Sequence, residues 1–235
     1  MSGAQLVAHD DAAVVVPMYD ESTVIADVVA GLLPYFTRVV CVDDGSRDQC
    51  GAAARAAGAT VVRHPVNLGQ GAAIETGLRF ALRDPSVGYV VTFDADGQHS
   101  AADAHAMVAR ARAEQVQVVL GSRFLGADCH VPAARRALLK AAASFTRRTT
   151  GLAVTDAHNG LRVLRRDAAS AVALRLHGMS HASEILSLVA RRRFSVVEHP
   201  VTISYTDYSR AKGQRGYNAL NIAFEIAVNR LRPAS

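Results

Sequence analysis

The 235-residue sequence predicts a single α/β domain with a mostly parallel central sheet flanked by helices. Three observations predict it. Short β-branched runs alternate with helical patterns through the first half of the chain. A polar cluster follows each of those runs at its carboxyl end, where sheets of this kind collect ligands. Half of the residues are hydrophobic and no Pro, Gly or Ser tract interrupts them, so one sizeable core is expected rather than two linked ones.

The elements follow in order. AVVVP (13–17), RVVCVDD (38–44), TVVRH (60–64) and VGYVVTFDAD (87–96) predict four strands, separated by helices over 21–33, 47–58 and 69–82. A helix over 101–113 and a strand over 116–124 come next. The second half changes character: a basic helix over 130–150, alternating turns and helices through NGLRVLRRDAASAV and SHASEILSLVARRRF, a strand-like SVVEHPVTISY, a polar loop and a last helix over 217–231. Residues 12–125 are expected to form a nucleotide-binding half, and 126–235 an acceptor-side half of the same domain, with 205–216 as a lid loop.

The net charge of +5 and the Arg clusters of the second half suit an anionic partner: nucleotide phosphates, a phospholipid surface or nucleic acid. A nucleic-acid module is disfavoured, because no recognition motif accompanies the charge and aromatics are few. Cys41, Cys50 and Cys129 form no metal-binding pair and suggest a reducing compartment. With neither a signal peptide nor a membrane-spanning stretch expected, the chain should be cytoplasmic, and at most peripheral on the cytoplasmic membrane face.

The stretch TFDADGQHS carries the sharpest chemistry. Residues i and i+2 of a strand share a face, so Asp94 and Asp96 should look into one small volume. At ~6 Å and an effective dielectric of ~20 their repulsion is about 3 kcal/mol, or roughly two pK units. A divalent metal, a proton used in hydrolysis, or solvent around an Asp-Gly turn could each answer it. A haloacid-dehalogenase-like phosphohydrolase would use Asp94 as nucleophile, yet it needs Thr where Gln98 stands. A calcium hand fails on its sixth and twelfth positions. What remains is a hard-cation site of oxygen ligands: Asp94, Asp96 and the Gln98 amide, completed by phosphate oxygens. VDDGS supplies two more carboxylates at a strand end. NLGQGAA lacks the third glycine of a dinucleotide fingerprint, and no P-loop occurs anywhere.

Taken in order, VVPMYDES, VDDGS, NLGQGAA, DADGQH, GSRF, DAHNGLRVLRR and VEHPVTISYTDYSRAKGQ resemble family 2 inverting glycosyltransferases of the GT-A fold, near the branch of polyprenyl- or dolichyl-phosphate mannose and glucose synthases. The resemblance implies a UDP-, GDP- or dTDP-sugar donor and Mg2+ or Mn2+. It implies as acceptor a polyprenyl phosphate, a lipid-linked glycan or a small hydroxyl compound. Pro17, Tyr19, Glu21, Val42 and Asp44 would cradle the nucleoside, and Asp94, Ala95 and Asp96 would hold donor and metal, with Gln98 as third ligand. Arg123 and Arg210, aided by Lys212 and Arg215, would close over the diphosphate. For a hydroxyl acceptor Asp156 is the candidate base, with His158 and Glu184 in reserve. For a phosphate acceptor no base is needed, and Arg135, Arg136, Arg147, Arg148 and Arg162 become contacts to phosphate or membrane. Asn159 belongs to the same acceptor-side motif. Three positions depart from the family: Asp20 replaces an Asn, Asn159 a Ser, and Arg215-Gly216 a Ser-Lys pair. The C-terminal membrane helices of many members are not expected.

Overall fold

The structure is a computed structural model that describes residues 7–126, 133–174 and 181–204. The chain runs β1 (His9–Met18), α1 (Ile25–Leu32), β2 (Phe36–Asp43), α2 (Cys50–Ala56), β3 (Thr60–Arg63), α3 (Gln70–Ala81), β4 (Tyr89–Thr92), α4 (Ala101–Ala113), β5 (Val118–Ser122), α5 (Ala133–Thr150), β6 (Arg162–Arg165), α6 (Arg166–Ala171), α7 (His181–Arg191) and β7 (Val196–Pro200). The strands form one seven-stranded sheet in the order β3-β2-β1-β4-β6-β5-β7. Every pairing is parallel except the two made by β6, which runs antiparallel to both β4 and β5.

The central strands are apolar on both faces because helices cover both. Ala12, Val14, Val16 and Met18 of β1 belong to a core shared with α1, α2 and α4, while Ala13 and Val15 point into a second core built with α3, α6 and α7. Helix α3 comes close to β1 at Gly77, where an added Cβ would overlap a Val15 methyl. The Ser100 hydroxyl caps α4 by accepting from Asp103 N at 3.3 Å.

Two expectations need correction. Residues 159–172, read as turns and helices, contain β6 in the interior of the sheet, between β4 and β5. A four-residue strand bracketed by arginines carries no periodicity long enough to register, and its place is set by its neighbours. The strand expected over 87–96 ends at Thr92, and Asp94–Gly97 lies in the turn that follows. The expected lid loop and last helix, with Arg210, Lys212 and Arg215, fall outside the described residues, as do Cys129 and the side chain of Arg135. No described helix is long and apolar enough to cross a membrane.

Two glycines in helices set opposite expectations. Replacing a helical glycine by alanine gains about 1 kcal/mol of propensity. At Gly77 the overlap with Val15 on a central strand costs more, about 1–3 kcal/mol, whereas Gly31 of α1 has nothing within 4 Å of its would-be Cβ. Urea unfolding should therefore show Gly77→Ala destabilised and Gly31→Ala unchanged or stabilised.

Candidate functional site

The parallel register brings the motifs together at the carboxyl edge of the sheet. Pro17 of β1 faces Val42 of β2, so two residues of the expected nucleoside cradle are neighbours, both buried. Tyr19 is half-buried beyond them and Glu21 is buried. Asp20 adopts φ +54°, a left-handed backbone that Asn and Asp tolerate better than other side chains. Its Oδ1 accepts from Arg47 N at 2.8 Å, so it ties the first polar loop to the second as an Asn would.

Asp44 proves to be an organiser of the cradle wall. Its Oδ1 lies 2.7 Å from His64 Nδ1 and accepts from Leu68 N at 2.9 Å, and its Oδ2 accepts from Gly69 N at 2.7 Å. The remaining nitrogen of His64 meets Thr76 Oγ1 at 2.9 Å. Gly45, at φ +73°, lets the chain turn against Val66, whose carbonyl carbon a Cβ would meet at 2.5 Å.

Asp94 is bonded on both of its oxygens. Gln70 Nε2 donates to its Oδ1 at 3.1 Å, and His99 Nε2 lies 3.1 Å from its Oδ2. Burial works against its charge, but the His99 contact and the charges of His99, His181 and Arg162 outweigh it and hold Asp94 below the ordinary carboxylate range. Asp96 goes the other way. Burial first, then the charge of Asp94 and a smaller one from Glu21, push it up to about 6, against a single opposing hydrogen bond from Gln98 N at 3.1 Å and the charge of His99. Ala95 between them is buried, and Gln98 is half-buried, its carbonyl accepting from Ser204 N at 2.9 Å.

In the part of the site expected to face the acceptor, Asp156 is sealed in. Its side chain has no exposed surface, and its Oδ2 accepts from Arg123 Nε at 2.6 Å and from Arg123 N at 3.2 Å. Asn159 Nδ2 approaches the same oxygen at 3.4 Å, while Oδ1 is buried with no hydrogen-bond partner among the described residues. Glu198 of β7 fixes the turn by accepting from Thr155 N at 2.7 Å and Asp156 N at 3.3 Å. Arg162 is 2% exposed, so it is no membrane contact; burial lowers its pKa to about 10, and the opposing charges are Asp94 and Asp156. His158 and Glu184 are half-buried, the latter in the first turn of α7.

Glu21, Asp96, Asp94, Arg162, Asp156 and Arg123 thus form one connected electrostatic cluster, joined by Asn159. Sequence reasoning missed Gln70, His99 and His181, all of which act on Asp94. His99 directly follows Gln98, and Gln70 lies in NLGQGAA, one of the polar clusters expected at the same sheet edge, so both offered a signal; His181 comes from another element and offered none.

Among the described residues no three His, Cys, Asp or Glu side chains converge into a ready-made metal cage. The donor set nevertheless suits a hard cation: burial is the larger cause of the raised proton affinity of Asp96, and the charge of Asp94 adds to it, so two carboxylates share one small volume. Asp94, Asp96 and Gln98 are oxygen donors within one turn.

The model of the family described as Glycosyl transferase family 2 matches residues 13–172. An uncharacterised protein of Methanocaldococcus jannaschii is 30% identical over 231 residues, covering 96% of this chain and 94% of its own. The UDP-N-acetylglucosamine–dolichyl-phosphate N-acetylglucosaminyltransferase of Methanococcus voltae is 26% identical over 221 residues, covering 85% of this chain and 88% of its own. Among solved structures, glucosyl-3-phosphoglycerate synthase from Mycobacterium tuberculosis, in complex with Mn2+, UDP and glucosyl-3-phosphoglycerate, superposes with a TM-score of 0.70 at 19% identity, over 96% of this chain and 82% of that one.

The pKa of Asp96 sets a pH dependence. Its folded value of about 6 lies above the unfolded value of about 3.9, so stability present below pH ~4 is lost as pH rises through ~6. Asp96→Asn removes this loss. The variant should gain on the wild type between those limits, by up to about 3 kcal/mol above pH 6 in metal-free urea unfolding. Saturating Mn2+ should close the gap by stabilising the wild type alone.

Proposed function

The chain belongs to glycosyl transferase family 2, and from that premise we propose that it moves a sugar from a nucleotide-diphosphate donor onto a polyprenyl phosphate, with inversion at the anomeric carbon. It is a glycosyltransferase of GT-A fold, and the rival phosphohydrolase with Asp94 as nucleophile falls with the family match. The donor and the acceptor are the proposed part.

The observation that carries the acceptor is the state of Asp156. A general base must reach the proton it removes. Asp156 is fully buried and spends one oxygen on Arg123, which suits a residue that orients a guanidinium and not one that meets a hydroxyl. A phosphate acceptor is already ionised and requires no base. The dolichyl-phosphate specificity in the name of the Methanococcus voltae relative supports the same choice.

In this reading Pro17, Tyr19, Glu21 and Val42 line the nucleoside cradle, with Asp44 bracing its wall. Asp94, Asp96 and Gln98 would hold Mg2+ or Mn2+, which supplies positive charge to the departing diphosphate. Arg123, aimed by Asp156, shares that charge as it develops, which stabilises the transition state more than the ground state. A phosphate oxygen of the acceptor forms the bond to the anomeric carbon while the bond to the diphosphate breaks. Arg210 and Lys212 are proposed to close over the diphosphate from the lid segment. The basic face of α5 supports a peripheral position on the cytoplasmic membrane face: Arg136, Lys140, Arg147 and Arg148 are exposed, and the helix contains no acidic residue.

Thermal unfolding with UDP, GDP or dTDP and Mn2+ should show a rise for one nucleotide, since a ligand bound only by the folded state raises the melting temperature. Asp96→Ala should abolish both that rise and transfer. Asp156→Asn should retain transfer to a polyprenyl phosphate within about tenfold; a fall of the ~10²–10⁴ expected for loss of a general base would overturn the phosphate acceptor.

A further inference from the structure

We propose that Gly160 is a positioning residue for Asp94, keeping clear the space into which that carboxylate is held and so coupling the acceptor-side strand to the donor motif. The proposal rests on the donor role given to Asp94 above.

The antiparallel pairing of β4 with β6 sets Thr92 opposite Arg162 and Val91 opposite Val163. Asp94 and Gly160 lie just beyond the paired ends of β4 and β6, and they are in contact there, so whatever stands at 160 meets Asp94 directly. A Cβ built on Gly160 would overlap the Asp94 carboxylate, lying 2.6 Å from its carbon and 2.7 Å from Oδ1; the three atoms it meets most closely all belong to that group.

The backbone at Gly160 is not among the left-handed glycines of the chain, so an L side chain is compatible with its conformation. What the position requires is space. The Thr92 hydroxyl holds this backbone in place by donating to Gly160 O at 2.7 Å. Gln70 and His99 hold Asp94 on its two oxygens. The atoms met belong to a side chain and not to backbone, so the carboxylate is the group that gives way, at the cost of its hydrogen bonds. A methyl at 160 therefore turns Asp94 away from His99 and Gln70 and leaves the fold standing.

Gly160→Ala tests this, with Gly31→Ala as the control for an added methyl that meets nothing. Three measurements separate the outcomes. Thermal unfolding without ligand should place Gly160→Ala within a few degrees of the wild type. Long-range 1H–15N spectra of the histidines should show the His99 signal moved, toward its position in Asp94→Asn. Calorimetric binding of UDP, GDP or dTDP with Mn2+ should weaken at least tenfold relative to the wild type, with kcat falling at least a hundredfold and KM for the acceptor within threefold. A folded Gly160→Ala whose His99 signal is unmoved, or whose nucleotide binding and kcat stay within twofold, overturns the proposal. If Gly160→Ala does not fold, Thr92→Val takes its place: it removes only the hydroxyl that anchors Gly160 and should shift the same signals by a smaller amount, and unchanged signals overturn the proposal equally. Should the wild type bind none of the three nucleotides, the donor role fails by itself, and the histidine spectrum still decides whether Gly160 positions Asp94.

Discussion

The site hangs on one electrostatic arrangement: the Asp94 carboxylate held charged at the seam between β4 and β6. A half-buried carboxylate is costly unless it is hydrogen-bonded and faced by positive charge. Here Gln70 and His99 bond its two oxygens, and Arg162 and His181 supply charge. These groups come from α3, the turn before α4, β6 and α7, so the carboxylate collects partners from elements across the sheet. Any change in how those elements pack reaches Asp94 through its hydrogen bonds.

The reversed direction of β6 makes this possible. A parallel strand in that place would present its carboxyl end at the same edge as β4. The antiparallel strand instead delivers the segment entering it, Asp156 through Leu161, to that edge. The segments 156–161 and 94–98 thereby become neighbours, and Arg162 carries charge that opposes both Asp94 and Asp156. The two motifs share one buried cation, so the halves of the site are not electrostatically independent.

The consequence for chemistry is a division of labour among carboxylates that look alike in the sequence. Asp94 is kept charged, Asp96 is pushed toward its neutral form until a cation arrives, Asp156 is spent on Arg123, and Asp44 is spent on the backbone of the cradle wall. Burial and hydrogen-bond partners, not residue type, separate these roles. The pair Arg123–Asp156 fixes the orientation of a guanidinium at the edge of the site.

The sequence by itself determined the α/β class, the polar strand ends and the carboxylate motif, because each rests on local patterns: β-branched runs, glycines at turns and paired Asp residues. The closeness of Asp94 to Asp96 and of Pro17 to Val42 was legible for that reason. The tertiary structure alone decided that a four-residue strand with two arginines belongs inside the sheet between β4 and β5, that Gln70 and His181 act on Asp94, and that Gly160 lies against it. It also gave Asp44 and Asp156 occupations their motifs do not announce. These are long-range facts: strand direction and register are chosen by burial of both sheet faces together, and a side chain's charge state follows from neighbours that the chain brings from far along its length.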